Sequence, residues 1–228
     1  MLLLDAGNAL WSQQPLTQQT QGKVMIDAMN LLGYDAMAIG DLDLQLGLDV
    51  LRNRLANAKF PFLSANVIVA GENKLLAQPY VVLSQGDHKV GIIGLTWDQA
   101  VGMESQFTLL KASEVLPKYV AEVGQQADVI IVLSNMGLDE DLSLAKSVPG
   151  IDLFVGGRSR VPMPESQLAD GTGTLVVQAG SQGEWVGRRH LTLDGAGKIT
   201  SRKDELLHLT EDYVDDQEMR AFLDNYQP

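Results

Sequence analysis

The sequence predicts an α/β protein built on a mixed sheet, and three features predict it. Short β-branched or apolar runs alternate with segments of helical periodicity along most of the chain. Val129, Ile130, Ile131, Val132 and Leu133 form an unbroken apolar run, the mark of a strand buried on both faces. Toward the C-terminus, strand-like stretches surround Asp194-Gly195, a hairpin-turn signal. The chain has 228 residues, with no internal repeat and no low-complexity linker, so a single domain over residues 1–228 is expected.

Taken in order, Leu2, Leu3 and Leu4 open as a strand. Residues 22–32 carry Met25, Met29 and Leu32 at helical spacing, with Gly33 as a stop. Residues 36–39 are a second short strand, and residues 48–58 a helix with Leu48, Leu51 and Leu55 on one face. Residues 62–69, 80–83 and 89–95 read as strands, the last two paired through a turn at Gly86-Asp87. Val115, Leu116, Val120 and Val123 stripe a helix over residues 113–126. The buried strand at 129–133 follows, then a short helix at 139–147 and a strand at 151–155. Residues 174–178 and 187–193 are expected as strands of an antiparallel end-section. An acidic helix over residues 215–226, docked by Phe222 and Leu223, closes the chain.

Composition removes several function classes. Seventeen basic and 29 acidic residues give a net charge of −12, which disfavours nucleic-acid polymers and anionic membranes as partners. No cysteine is present, excluding disulfides, thiolate zinc sites and a cysteine nucleophile. No apolar run approaches the ~20 residues of a membrane helix. No secretory signal precedes Leu2, and the compartment stays open.

Ligands of α/β sheets bind at loops beyond the carboxyl ends of strands. Four polar, glycine-containing loops hold such positions: Asp5-Ala6-Gly7-Asn8, Gly40-Asp41-Leu42-Asp43, Ser134-Asn135-Met136-Gly137 and Gly156-Gly157-Arg158-Ser159-Arg160. Ser134 and Ser159 lack a histidine base and a nucleophile-elbow context. His88, His190 and His208 fall outside all four loops. Trp11, Trp97 and Trp185 are scattered and read as core or rim packing.

The order of these loops, with stretches such as Leu3-Leu4-Asp5-Ala6-Gly7, residues 26–38, 60–67, 89–96, 128–134, 148–152 and 176–180, resembles the amino-terminal metallophosphoesterase (calcineurin-like) domain of the 5'-nucleotidase family. The resemblance runs over nearly the whole chain. It implies a four-layer α/β/β/α sandwich with mixed sheets, from which the opening Asp-x-His strand is expected to be missing. It also implies two metal ions held by Asp, His and Asn in five blocks, and a second domain that has no counterpart within this sequence. The ligand blocks are altered. Gly-Asp reads Gly7-Asn8; Gly-Asn-His-Glu reads Gly40-Asp41-Leu42-Asp43; Ser-His reads Ser134-Asn135; and Gly-Gly-His-Ser-His reads Gly156-Gly157-Arg158-Ser159-Arg160. The positions matching family ligands are therefore Asn8, Asp41, Asn135, Arg158 and Arg160. A guanidinium does not deprotonate and repels a dication.

The expectation is a catalytically inactive domain acting as a binding or assembly partner, with no catalytic residue and no cofactor. A single divalent cation on Asn8, Asp41, Asp43 and Asn135 is the alternative cofactor. The alternative functions are a metal-dependent phosphohydrolase of nucleotide catabolism with an altered site, and an anion- or nucleotide-binding module using Arg158 and Arg160. In the cleft those arginines are expected to pair with Asp41 or Asp43, or to hold a small anion. A bare strand edge at residues 2–5 leads to an expected homo-oligomer or partner chain.

Overall fold

Alternation with period two along the strands sorts the apolar residues into three separate cores. In β-strands successive side chains face opposite sides, so each strand buried on both faces feeds two of them. The computed structural model describes every residue except 101, 103, 104, 196, 227 and 228. The first half contains β1 (Leu4–Asp5), α1 (Pro15–Gln19), α2 (Lys23–Leu32), β2 (Ala36–Ala38), a 3-10 turn (Asp43–Leu46), α3 (Leu48–Asn57), β3 (Phe62–Leu63), β4 (Val67–Val69), β5 (Lys74–Leu75), β6 (Tyr80–Gln85), β7 (His88–Thr96) and β8 (Phe107–Leu109). The second half contains α4 (Ala112–Val123), β9 (Val129–Asn135), α5 (Leu138–Ser147), β10 (Leu153–Gly156), β11 (Gln167–Leu168), β12 (Leu175–Gln178), β13 (Trp185–Leu193), β14 (Ile199–His208) and α6 (Gln217–Asp224).

Two sheets face each other. The smaller is parallel, in the order β1-β2-β3, and the larger is mixed, in the order β11-β12-β10-β9-β7-β6. Ala36 and Ala38 of β2 meet Val90 and Ile92 of β7 and Val129, Ile131 and Leu133 of β9 in the core between the sheets. The intervening residues face outward. Ile93, Ile130, Val132 and Phe154 join Leu116 and Val120 of α4 and Leu144 of α5. Met37 and Phe62 join Ile26 and Met29 of α2 and Leu51 of α3. The layers are therefore helix, sheet, sheet, helix, as the resemblance implies.

The elements depart from the sequence reading at identifiable places. Residues 62–69 form two strands in different sheets, because Ser64 and Asn66 divert the backbone between them. The Ser64 hydroxyl lies 2.9 Å from that of Thr96, and the Asn66 amide donates to the Thr96 carbonyl (2.7 Å) while accepting its N–H (2.9 Å). Residues 174–178 belong to the large sheet, parallel to β10, instead of an antiparallel end-section. β13 pairs with β14, a strand whose charged residues hide it from an apolar-pattern reading. Ion pairs tie that ribbon together: Arg188 with Glu205, and Arg189 with Asp204 at 3.5 Å. The C-terminal helix is shorter than residues 215–226, capped by Asp216 accepting the Met219 N–H, and Leu223 is exposed. It is tied to α2 by the Tyr226 hydroxyl, which donates to Asp27 at 2.8 Å.

The sheets approach closely at Gly94. A β-carbon there would lie 2.4 Å from the Leu63 carbonyl oxygen, far inside contact distance. Gly94→Ala is expected to destabilise the fold by about 1–3 kcal/mol, the usual range for overpacking. A urea midpoint unchanged from wild type would contradict this.

Asp141, on the first turn of α5, is fully buried. Burial pushes its carboxyl up to about 7, against the opposing pull of the Ser134 hydroxyl and the Gln178 amide. A folded-state pKa above the unfolded value means stability that is complete below about 4 and lost as pH rises through about 7. Melting temperature is therefore expected to fall between pH 5 and pH 8 (approximate bounds set by the same linkage). Asp5 and Asp43 are also raised, to about 6 and about 7, so the informative quantity is the difference between wild type and Asp141→Asn. The variant is expected to show a shallower pH dependence; an identical slope would refute the assignment.

Candidate functional site

The four loops singled out in the sequence converge at the carboxyl ends of β1, β2, β9 and β10. Asn8 sits in the left-handed backbone region (φ +68°), which asparagine tolerates better than most residues. From there its side-chain amide donates to Asp41 Oδ1 (2.9 Å) and its carbonyl accepts the Leu42 N–H (2.8 Å). Its own N–H donates to Asp43 Oδ2 (2.9 Å). The close approach needs glycine opposite: a β-carbon on Gly40 would fall 1.9 Å from Asn8 Oδ1.

Asp43 lies at the centre of this turn with no exposed surface. It accepts the N–H groups of Asn8, Leu10 and Gly40, each at 2.9 Å. Burial nevertheless raises its carboxyl to about 7, outweighing these three donors. Asn135, at the end of β9, accepts the Asp41 N–H (3.0 Å) and donates to the Ala6 carbonyl (3.1 Å). Asn8, Asp41, Asp43 and Asn135 thus form one bonded cluster.

Arg158 completes it from the loop after β10. Its Nε lies 3.5 Å from Asp41 Oδ2, and its guanidinium carbon stands 3.3 Å from the centre of the Trp97 ring. The expected pairing with Asp41 is present for Arg158. Arg160 differs: it is exposed and makes no ion pair with Asp41 or Asp43. Both arginines occupy the left-handed region, at φ +68° and +60°, a conformation that costs a non-glycine residue about 1 kcal/mol or more.

The residue between them is the anchor. The Ser159 hydroxyl donates to Gln178 Oε1 (2.6 Å) and accepts the Leu138 N–H (3.3 Å). Gln178 in turn donates to Asp141 (3.4 Å), which accepts the Ser134 hydroxyl at 2.5 Å. This chain, buried at Ser134, Asp141 and Gln178 and exposed at Ser159, links the arginine loop to α5 and β12. Sequence reasoning missed it, and also missed Trp97 as a site residue. The position of Trp97, directly after β7 at the same sheet end as the other loops, was the available signal.

These residues do not fit a pair of divalent cations. Each amide oxygen of Asn8 and Asn135 already accepts a backbone N–H, both Asp43 oxygens do the same, and Asp41 is divided between Asn8 and Arg158. Among the described residues no group of three or more His, Cys, Asp or Glu is arranged to hold a metal ion. The histidines make their contacts elsewhere: His88 and His190 lie near Asp128 (3.8 Å) and Glu205 (3.9 Å), and His208 stacks on Trp185 (4.1 Å).

No family model matches the chain. Individual proteins do. Snake venom 5'-nucleotidase of Naja atra is 30% identical over 254 residues, covering 97% of this chain and 46% of the relative. Protein UshA of Yersinia enterocolitica is 31% identical over 223 residues, covering 82% of this chain and 40% of the relative. The crystal structure of a 5'-nucleotidase precursor from Thermus thermophilus superposes with a TM-score of 0.89 at 32% identity, over 97% of this chain and 48% of that one. The chain spans less than half the length of each. Shared sequence, the layered fold and the order of the loops place it in the 5'-nucleotidase family, as the amino-terminal calcineurin-like phosphoesterase domain.

Proposed function

We propose that this domain works by binding a ligand or partner and does not hydrolyse phosphate esters. The observation that carries the reading is the bonding state of the ligand positions. Two-metal hydrolysis requires anionic oxygens and imidazoles with free lone pairs, placed to hold ions about 4 Å apart. Here the bridging position is Asn8, a neutral amide engaged at both ends by the loop after β2. A cationic side chain, Arg158, stands beside the one partly accessible carboxylate of the cluster, Asp41. A metal ion entering the cleft would have to displace a guanidinium and break several charge-assisted or buried hydrogen bonds, each a cost of about 1–3 kcal/mol.

A second reading is favoured by the names of the relatives, which are 5'-nucleotidases. On that reading the domain is a metal-dependent phosphoric monoester hydrolase with an altered site. The two separate cleanly. Incubation of the purified chain with nucleoside monophosphates and manganese, zinc or magnesium is expected to release no phosphate above a protein-free blank. Metal-dependent release that disappears in Asp41→Ala would establish the hydrolase instead.

A further inference from the structure

A separate hollow of about 160 Å³ opens between the loop after β1, helix α1 and the 3-10 turn. None of Asn8, Asp41, Asp43, Asn135, Arg158 or Arg160 lines it. Its walls are held in place from several sides. Leu10, with no exposed surface, donates its N–H to Asp43 (2.9 Å). Gly22 stands so close that a β-carbon there would lie 2.7 Å from the Leu10 carbonyl oxygen. The buried Arg54 donates to the carbonyls of Thr20 (3.0 Å) and Gln21 (2.9 Å), which fixes the turn between α1 and α2.

The lining is uncharged in a chain whose net charge is −12. An ion entering it would lose hydration and meet no counter-charge. Leu10, Leu46 and the Trp11 indole supply apolar surface, and the Trp11 ring contacts no other ring or cation among the described residues. Thr17 carries the argument furthest. It is only 7% exposed, it lines the hollow, and its hydroxyl is bonded to no described residue. The Thr20 hydroxyl, one turn on, is bonded to the Leu16 carbonyl (2.8 Å). Buried hydroxyls are hydrogen-bonded as a rule, so one left over beside a cavity points to a partner within it. The Trp11 indole N–H and the carboxamides of Gln18 and Gln21, which share the lining, are bonded to no described residue either. Size narrows the ligand further. A cavity of about 150 Å³ takes one benzene ring, so a single ring fits here and a nucleoside does not.

We infer that this hollow binds an uncharged single-ring aromatic amide, its ring against Trp11 and its amide bonded to Thr17. An amide carries a donor and an acceptor side by side, which hydroxyl and carboxamide partners both satisfy. The site is independent of whether the neighbouring cleft hydrolyses anything. The test is a nuclear magnetic resonance titration of the isotope-labelled full chain with benzamide, and with benzoate as its charged isostere. The indole N–H signal of Trp11, identified by its loss in Trp11→Phe, is expected to shift saturably at roughly millimolar benzamide, as suits so small a ligand. The Trp97 and Trp185 signals should stay in place. Benzoate should bind about tenfold more weakly or less well still. Thr17→Val keeps the side-chain shape and should weaken benzamide about threefold to tenfold, the loss of one hydrogen bond. Its melting temperature should not fall, because the hydroxyl makes no bond within the fold. Gln18→Ala, at an exposed position, should also weaken binding and takes over if Thr17→Val does not fold. No saturable shift at Trp11 would mean a cavity filled by water alone and overturns the inference. Equal affinity for benzoate, or unchanged affinity in the folded variant, overturns it too. A shift at Trp97 without one at Trp11 would put the ligand in the cleft, which is equally fatal.

Discussion

Asn8 joins the loop after β1 to the loop after β2 through three of its own polar atoms. Its amide nitrogen, amide oxygen and backbone N–H are all directed at residues 41–43. The backbone conformation that makes this possible is left-handed, and Gly40 opposite it leaves no room for a β-carbon. Other features of the site follow from this knot. Asp41 is oriented by Asn8 on one oxygen, so its other oxygen faces Arg158. Asp43 is drawn under the turn and becomes a backbone-bonding group with no surface. An aspartate in place of Asn8 would have no amide hydrogens to give Asp41, and two carboxylates would meet.

The electrostatic consequence is a cleft whose positive charge is covalently attached. A guanidinium cannot leave with changes in metal supply, and it stays protonated across the physiological range. Its stacking on Trp97 gives it a fixed place, and the Ser159–Gln178–Asp141–Ser134 chain gives its loop a fixed backbone. These side chains lie on β9, β12, α5 and the loops after β7 and β10, which the parallel arrangement of β9, β10 and β12 gathers at one sheet end. The fold delivers the same convergence point in every case; which residues stand there decides the chemistry.

Much of this was legible in the sequence, for physical reasons. The β9 run and the helix stripes are direct consequences of burial on two faces and one, so their positions could be read to within two or three residues. The four loops were visible because glycine and polar residues punctuate apolar strands. What escaped depends on partners distant in sequence. β14 is polar, and what marks it as a strand is its backbone pairing with β13 and the ion pairs across that pair, neither of which its own sequence displays. The split of residues 62–69 comes from Ser64 and Asn66 bonding to Thr96, some thirty positions away. The same limit divided the arginines. The charge of Arg158 near Asp41 was readable, but its stacking on Trp97 and the exposure of Arg160 are properties of the assembled loops.

Direct measurement of cation binding at the cleft tests the central claim, that Asn8, Asp41, Asp43 and Asn135 commit their oxygens to one another, to the backbone and to Arg158. Manganese(II) is paramagnetic, so titration followed by electron paramagnetic resonance reports free and bound ion at once. The account predicts that the free-ion signal grows in proportion to added manganese, with no saturable site that Asp41→Ala removes. Stoichiometric uptake of manganese by the wild-type chain, lost in Asp41→Ala, would contradict it.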